Sequence, residues 1–153
     1  MADSDTATFL RRERQSILRS AGESLGRMHA RHYESAGAEA VRERLGALVD
    51  QLVDGVEKRD LGAMIAFSRR IAQERYEAGY DLSEVQVAFN ALEEASWTRV
   101  LADVDPSQLA EALGLIGTVL GAGKDALARE YVSLAADTRA PSLDLTALFA
   151  GTD

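Results

Sequence analysis

Apolar residues along this chain recur every three to four positions and almost never alternate in twos, so the pattern predicts helices throughout. The first periodic segment runs from about Thr8 to His32 and carries Leu10, Ile17, Leu18, Ala21, Leu25 and Met28. Gly22 and Gly26 predict a kink or break in its middle, and the stretch Ser35 to Gly37 marks its stop. A second helix is expected from about Ala38 to Arg59. Its Val41, Leu45, Leu48, Val49, Leu52, Val53 and Val56 make the single apolar stripe of a surface helix. Asp60 reads as the N-cap of a third, about Leu61 to Ala78, with Leu61, Met64, Ile65, Ser68, Ile71, Ala72 and Arg75 on one face. Gly79 is placed to end that helix in a left-handed conformation.

The fourth helix opens at Asp81-Leu-Ser83-Glu84. Asp81 or Ser83 can cap its free N–H groups, and Asp81 and Glu84 have capping-box spacing. Its core stripe is Val85, Phe89, Leu92, Ser96 and Val100, with Ala88 and Trp97 beside it. Asp105-Pro106 breaks it, with Asp105 as the cap of the next helix and Pro106 at its first position. The fifth helix, about Ser107 to Asp137, would be more than roughly 40 Å long. It carries two stripes, one through Leu109, Leu113, Ile116, Leu120, Leu127, Tyr131 and Leu134, the other through Leu115, Val119, Ala122 and Ala126. A helix apolar on two faces is buried centrally or shared with a partner chain. Gly114, Gly117 and Gly121 lie near one face and predict close backbone approach there. After Pro141, the residues Leu143, Leu145, Leu148 and Phe149 make a short apolar tail or helix that is expected to dock.

The expected architecture is therefore all-α: five main helices plus a short C-terminal helix or tail. Composition agrees. Ala (26) and Leu (19) far outnumber Val plus Ile (14), and the two prolines both fall at helix ends. The 153 residues suit one domain, with 1–7 and 138–153 peripheral. A chain of this size buries roughly 70% of its unfolded surface. Without cysteine there are no disulfides, zinc–thiolate sites or thiol nucleophiles. A net charge of −8 makes the chain a poor general binder of phosphate backbones, so no nucleic-acid partner is expected. The polar, acidic start lacks a signal-peptide pattern, and no window is long and apolar enough to span a membrane. A cytoplasmic location is the expectation.

Candidate chemistry is sparse. The run Gly117 to Asp125 has glycines before Lys124, but its spacing misses a phosphate-binding loop by one residue and Asp125 stands where a hydroxyl is needed. His29 and His32 share a helix face without an evident third ligand, so solvated histidines are expected and no metal site. Six arginines between Leu10 and His32 form a local basic face, read as contacting the acidic fourth helix within the chain or across a dimer. Glu74, Glu77, Glu84, Glu93 and Glu94 form no evident acid–base pair, and no catalytic residue is assigned. Tyr76, Tyr80, Phe89 and Trp97 are the candidate ligand-binding aromatics.

The stretch from Ile71 to Glu93 has a definite pattern: Arg75, then Gly79-Tyr80, then Leu82-Ser83-Glu84-Val85, then Phe89 and Leu92. It resembles the helical N-terminal domain of the RsbR/RsbRD co-antagonists of bacterial stress signalling, over about Leu10 to Leu101. The resemblance implies a non-enzymatic sensory or protein-interaction module, related to non-haem globins or helical bundles, that dimerises and works with other signalling proteins. It marks Arg75, Gly79, Leu82, Ser83 and Glu84 as signature positions. The hairpin is also similar to that of globin-coupled sensors, but Arg75 stands where their haem-ligating histidine would be, so no cofactor is expected. A homodimer is the expected assembly, pairing through the fifth helix at Leu115, Val119 and Ala122 or through the first helix. Family domains of this kind precede a STAS or other output domain, so the expectations are a stand-alone adaptor, a tail that is the remnant or docking element of a signalling partner, or a chain cut short before an output domain.

Overall fold

Seven α-helices and one 3-10 turn account for nearly all of residues 2–28 and 31–139, the part of the chain that the computed structural model describes. They are α1 (Ala2–Arg12), α2 (Arg14–Met28), α3 (Arg31–Ala36), α4 (Ala38–Lys58), α5 (Gly62–Glu77), α6 (Leu82–Asp103) and α7 (Leu109–Arg139), with the 3-10 turn at Pro106–Gln108. No strand occurs among the described residues. The fold is all-α.

The first periodic segment is three helices rather than one. The interruption between α1 and α2 falls at Glu13, not at Gly22 or Gly26, and it is slight. Glu13 N–H still donates to Phe9 O at 2.9 Å, and Ile17 N–H to Glu13 O at 2.9 Å. Gly22 and Gly26 are ordinary members of α2, because buried Ile17, Leu18, Ala21 and Leu25 hold that helix down along its length. α1 lies on α4 and buries Thr6 and Ala7. His29 and the tail with Leu143, Leu145, Leu148 and Phe149 lie outside the described residues.

The α4 stripe is buried from Leu45 to Val56, with Val41 packed at its edge. At the start of α5, Asp60 Oδ1 accepts Gly62 N–H at 2.8 Å. Asp105 Oδ1 likewise accepts Ser107 N–H at 2.9 Å, but there it opens the 3-10 turn and α7 begins three residues later than Pro106.

The long α7 is the central element. It packs on α5, α6 and α4, so both of its apolar stripes find partners inside one chain. Ile116, Val119, Leu120, Ala126, Leu127 and Tyr131 are all buried. The close approach expected at Gly114, Gly117 and Gly121 is not there: a Cβ at any of the three would meet nothing within 4 Å. It occurs instead at Gly123, where a Cβ would sit 2.9 Å from both Met64 Sδ of α5 and Phe89 Cε1 of α6. That crossing of three helices leaves no room for a side chain.

The basic face of α1 and α2 does not pair mainly with α6. Arg11 binds Glu57, and Arg14 binds Asp50 at 3.1 Å, both acids on α4. The α6 contact has the opposite sense: Arg99 of α6 reaches Glu13 at 3.2 Å and its own Asp103 at 2.7 Å. α2 packs on both α4 and α6, and α1 mainly on α4, so these arginines meet the acids of α4 first.

Candidate functional site

The hairpin between α5 and α6 is built by local chemistry. α5 ends in a Schellman motif: Tyr80 N–H donates to Arg75 O at 2.9 Å and Gly79 N–H to Tyr76 O at 3.1 Å. Gly79 takes φ 86°, where a β-carbon would be strained. Asp81 then caps α6 in a capping box with Glu84, whose Oε1 accepts Asp81 N–H at 3.1 Å. Leu82 packs against the core, while Ser83 is exposed in the first turn of α6.

Glu84 does more than cap. Its Oε1 lies 2.7 Å from His32 Nδ1, and its Oε2 accepts the backbone N–H of His32 at 3.0 Å. Against the ionised carboxylate, which only accepts, Nδ1 must be the donor. Burial works against the charge of Glu84, but the two bonds from His32 and that from Asp81 N–H outweigh it and hold the carboxyl below its ordinary range. His32 is thus not a freely solvated side chain. It latches α3 onto the start of α6, and its ring stacks on Tyr80 with centroids 4.5 Å apart. Among the described residues no group of three or more metal-capable side chains comes together.

Around Arg75 the hairpin gathers all four tyrosines of the chain, Tyr33, Tyr76, Tyr80 and Tyr131. Tyr33 meets Tyr80 edge-on at 5.4 Å, and Tyr76 meets Tyr131 edge-on at 5.6 Å. Arg44 of α4 donates to the Tyr80 hydroxyl at 2.6 Å, and the Tyr131 hydroxyl donates to Tyr80 O at 3.1 Å. The Arg44 and Arg75 guanidinium carbons lie 5.8 and 5.7 Å from the Tyr80 ring centroid. Burial raises the pKa of the Tyr33 hydroxyl against the opposing pull of Arg75, which hydrogen-bonds it. Burial, with Tyr33 beside it, pushes Tyr131 up to about 12.

Arg75 itself is only 13% exposed, and its Nε is buried without a hydrogen-bond partner in the protein. Behind it lies a hollow of about 20 Å³ lined by Arg75, Arg44 and Tyr33 and otherwise by apolar side chains, among them Leu45, Ile71, Val85 and Phe89. A larger cavity of about 420 Å³ lies between α2, α3 and α4, with Leu18, Leu25, Val41 and Tyr33 in its wall.

The four aromatic residues read as ligand candidates are divided by this arrangement. Tyr76 and Tyr80 belong to the cluster, and Phe89 lines the small hollow from the core. Trp97 stands apart on the outer face of α6, 42% exposed, beside Leu101 at 59%. It is not a core residue, because the turns of α6 that carry Phe89 and Leu92 to the interior carry Trp97 outward. Of the expected dimer residues, Val119 is 3% exposed and packs on Gly55 of α4. Leu115 and Ala122 are half-buried. The pattern of the sequence does not single out His32, Tyr33, Arg44 or Tyr131 as members of one site. Their only signal is that tyrosines and cations are placed on the inner stripes of three different helices.

The model of the RsbT co-antagonist protein rsbRD N-terminal domain matches residues 9–144. The chain belongs to that family. The match runs from α1 through the whole hairpin and α7, and so includes Arg75, Gly79, Leu82, Ser83 and Glu84. No curated protein and no solved structure matches the chain. The family is one of signalling co-antagonist domains. No helix among the described residues is long and apolar enough to cross a membrane.

Proposed function

We propose that this chain is a non-enzymatic protein-interaction module of bacterial stress signalling that acts in the cytoplasm; its membership of the rsbRD N-terminal domain family supports the signalling role. Its signature hairpin serves as internal scaffold: Arg75, Gly79 and Glu84 all bind within the chain. The observation that carries an interaction role is the exposed pair Trp97 and Leu101, one turn apart on the outer face of α6 and flanked by Asn90, Glu93 and Glu94. An exposed tryptophan with a polar rim is the composition of an interface centre. Signalling proteins, a second copy of the chain among them, are the partners this surface suits.

The test is affinity capture from the native host with the wild-type chain and with Trp97→Asp/Leu101→Asp, read by quantitative mass spectrometry. Signalling proteins enriched by the wild type and lost with the double variant support the reading. Equal enrichment by both chains overturns the role of this face.

A second reading, a haem-free small-molecule sensor, is favoured by the cavity of about 420 Å³ between α2, α3 and α4, whose size is within the range of ligand sites. Native mass spectrometry separates the two. A retained adduct favours the sensor, and bare chain mass, as monomer or dimer, favours the interaction module.

A further inference from the structure

The hollow behind Arg75 has the chemistry of a site. Its lining contributes three polar side chains, Tyr33, Arg44 and Arg75, and no carboxylate. The charges that act on the Tyr33 hydroxyl there are the two guanidiniums, with Tyr80 the remaining group. The nearest acid to Arg75 is its neighbour Glu74, at 3.6 Å with a side chain 58% exposed, so this contact lies toward solvent. Arg44 is bonded to a neutral phenol. Two positive groups therefore line one apolar-walled space to which no carboxylate contributes, and the buried Nε of Arg75 has a hydrogen without an acceptor. A buried donor in that condition is costly unless an acceptor completes it.

Size restricts what can do so. About 20 Å³ exceeds the minimum of about 10–15 Å³ needed for one water-sized particle. So small a space suits a single compact ion better than a carboxylate, phosphate or sulfate. Apolar walls favour an ion that surrenders its hydration readily.

We propose that the hollow between Arg44, Arg75 and Tyr33 binds one compact monovalent anion, chloride being the physiological instance. Arg75 Nε and the Tyr33 hydroxyl donate to it from one side and Arg44 neutralises it from another. Arg44 and Arg75 also lie against the Tyr80 ring, so occupancy of the site is linked to the packing of the hairpin. It is distinct from the outer face of α6 and stands or falls independently of partner binding.

The experiment uses the whole chain in a chloride-free gluconate buffer at fixed ionic strength. Chloride is added while the ³⁵Cl NMR linewidth is followed, with bromide as competitor. The expected result is excess broadening that bromide reverses, and that Arg75→Gln or Arg44→Gln weakens about tenfold, the loss expected for one charged hydrogen bond. Circular dichroism checks that each variant folds. Broadening that is absent from the wild type means that water fills the hollow, and overturns the proposal. Broadening undiminished in both folded variants overturns it as well. Should neither variant fold, a bromide-soaked crystal decides: an anomalous peak in the hollow supports the site, and peaks only elsewhere refute it.

Discussion

Gly121 and Gly123 lie two residues apart on α7, yet alanine should act in opposite directions at the two. Replacing a helix-interior glycine by alanine gains about 0.8–1.0 kcal/mol from backbone entropy alone. At Gly121 a Cβ meets nothing within 4 Å, so Gly121→Ala should show that gain undiminished. At Gly123 the same Cβ sits 2.9 Å from Met64 Sδ and Phe89 Cε1. Met64 is 0% exposed and Phe89 1%, so neither has space to retreat into. Overpacking of a filled core costs about 1–3 kcal/mol. Gly123→Ala should therefore fall between no net change and a loss of about 2 kcal/mol. The helix-propensity gain is common to both variants and cancels in their difference. That difference should be about 1–3 kcal/mol, or about 2–4 °C in Tm for each kcal/mol at this chain length. Urea unfolding at unchanged m-value measures it directly. Equal stability of the two variants would refute the three-helix crossing of α5, α6 and α7. A destabilising Gly121→Ala would mean that something covers that face of α7 in solution.

Four further outcomes are expected. Gly79→Ala should lose about 1–2 kcal/mol in thermal unfolding, because alanine is strained at φ 86°. Since the folded chain holds the Glu84 carboxyl below its ordinary range, its stabilisation is complete above the unfolded glutamate value of about 4.3 and disappears as pH falls through the folded value. Glu84→Gln should therefore flatten the acid limb of the stability profile measured by urea unfolding from pH 6 downward, and an unchanged limb would count against the His32 latch. Tyr131, raised to about 12, should contribute stability that is complete below the ordinary tyrosine value of about 10 and lost as pH rises from there through the folded value. In a phenolate absorbance titration, Tyr131→Phe should remove a step delayed to about pH 12. Trp97, 42% exposed, should be readily quenched by acrylamide in the free chain and shielded when a partner is bound.

The hairpin is legible in the sequence because everything that builds it is local. Gly79 sits where a Schellman turn needs a left-handed residue, and Asp81 and Glu84 have the spacing of a reciprocal cap. These rules act over a few residues and do not depend on what packs around them. The cluster at Arg75 is not legible, since Tyr33, Arg44 and Tyr131 reach it from α3, α4 and α7, tens of residues away. Helical stripes say which residues turn inward without saying which helices meet. Trp97 shows the same gap in another form: α6 carries Val85, Val87, Phe89, Leu92, Trp97 and Leu101 around much of its circumference, so periodicity gives it no clear outer face. The glycines of α7 mislead because close approach depends on the neighbouring helix, and the tight crossing comes at Gly123 rather than at the regular stripe of Gly114, Gly117 and Gly121.

The pairing of Arg11 and Arg14 with Glu57 and Asp50 bears on how fast other molecules arrive. Those arginines, read alone, promise a positive landing strip on a chain of net charge −8. With these two charges matched at contact distance, less of that positive potential projects into solvent, and the acidic excess of the chain dominates at range. Encounter with a basic partner is then accelerated and encounter with an acidic one slowed, and both effects fade as added salt shortens the Debye length from about 8 Å at physiological ionic strength toward about 3 Å at 1 M.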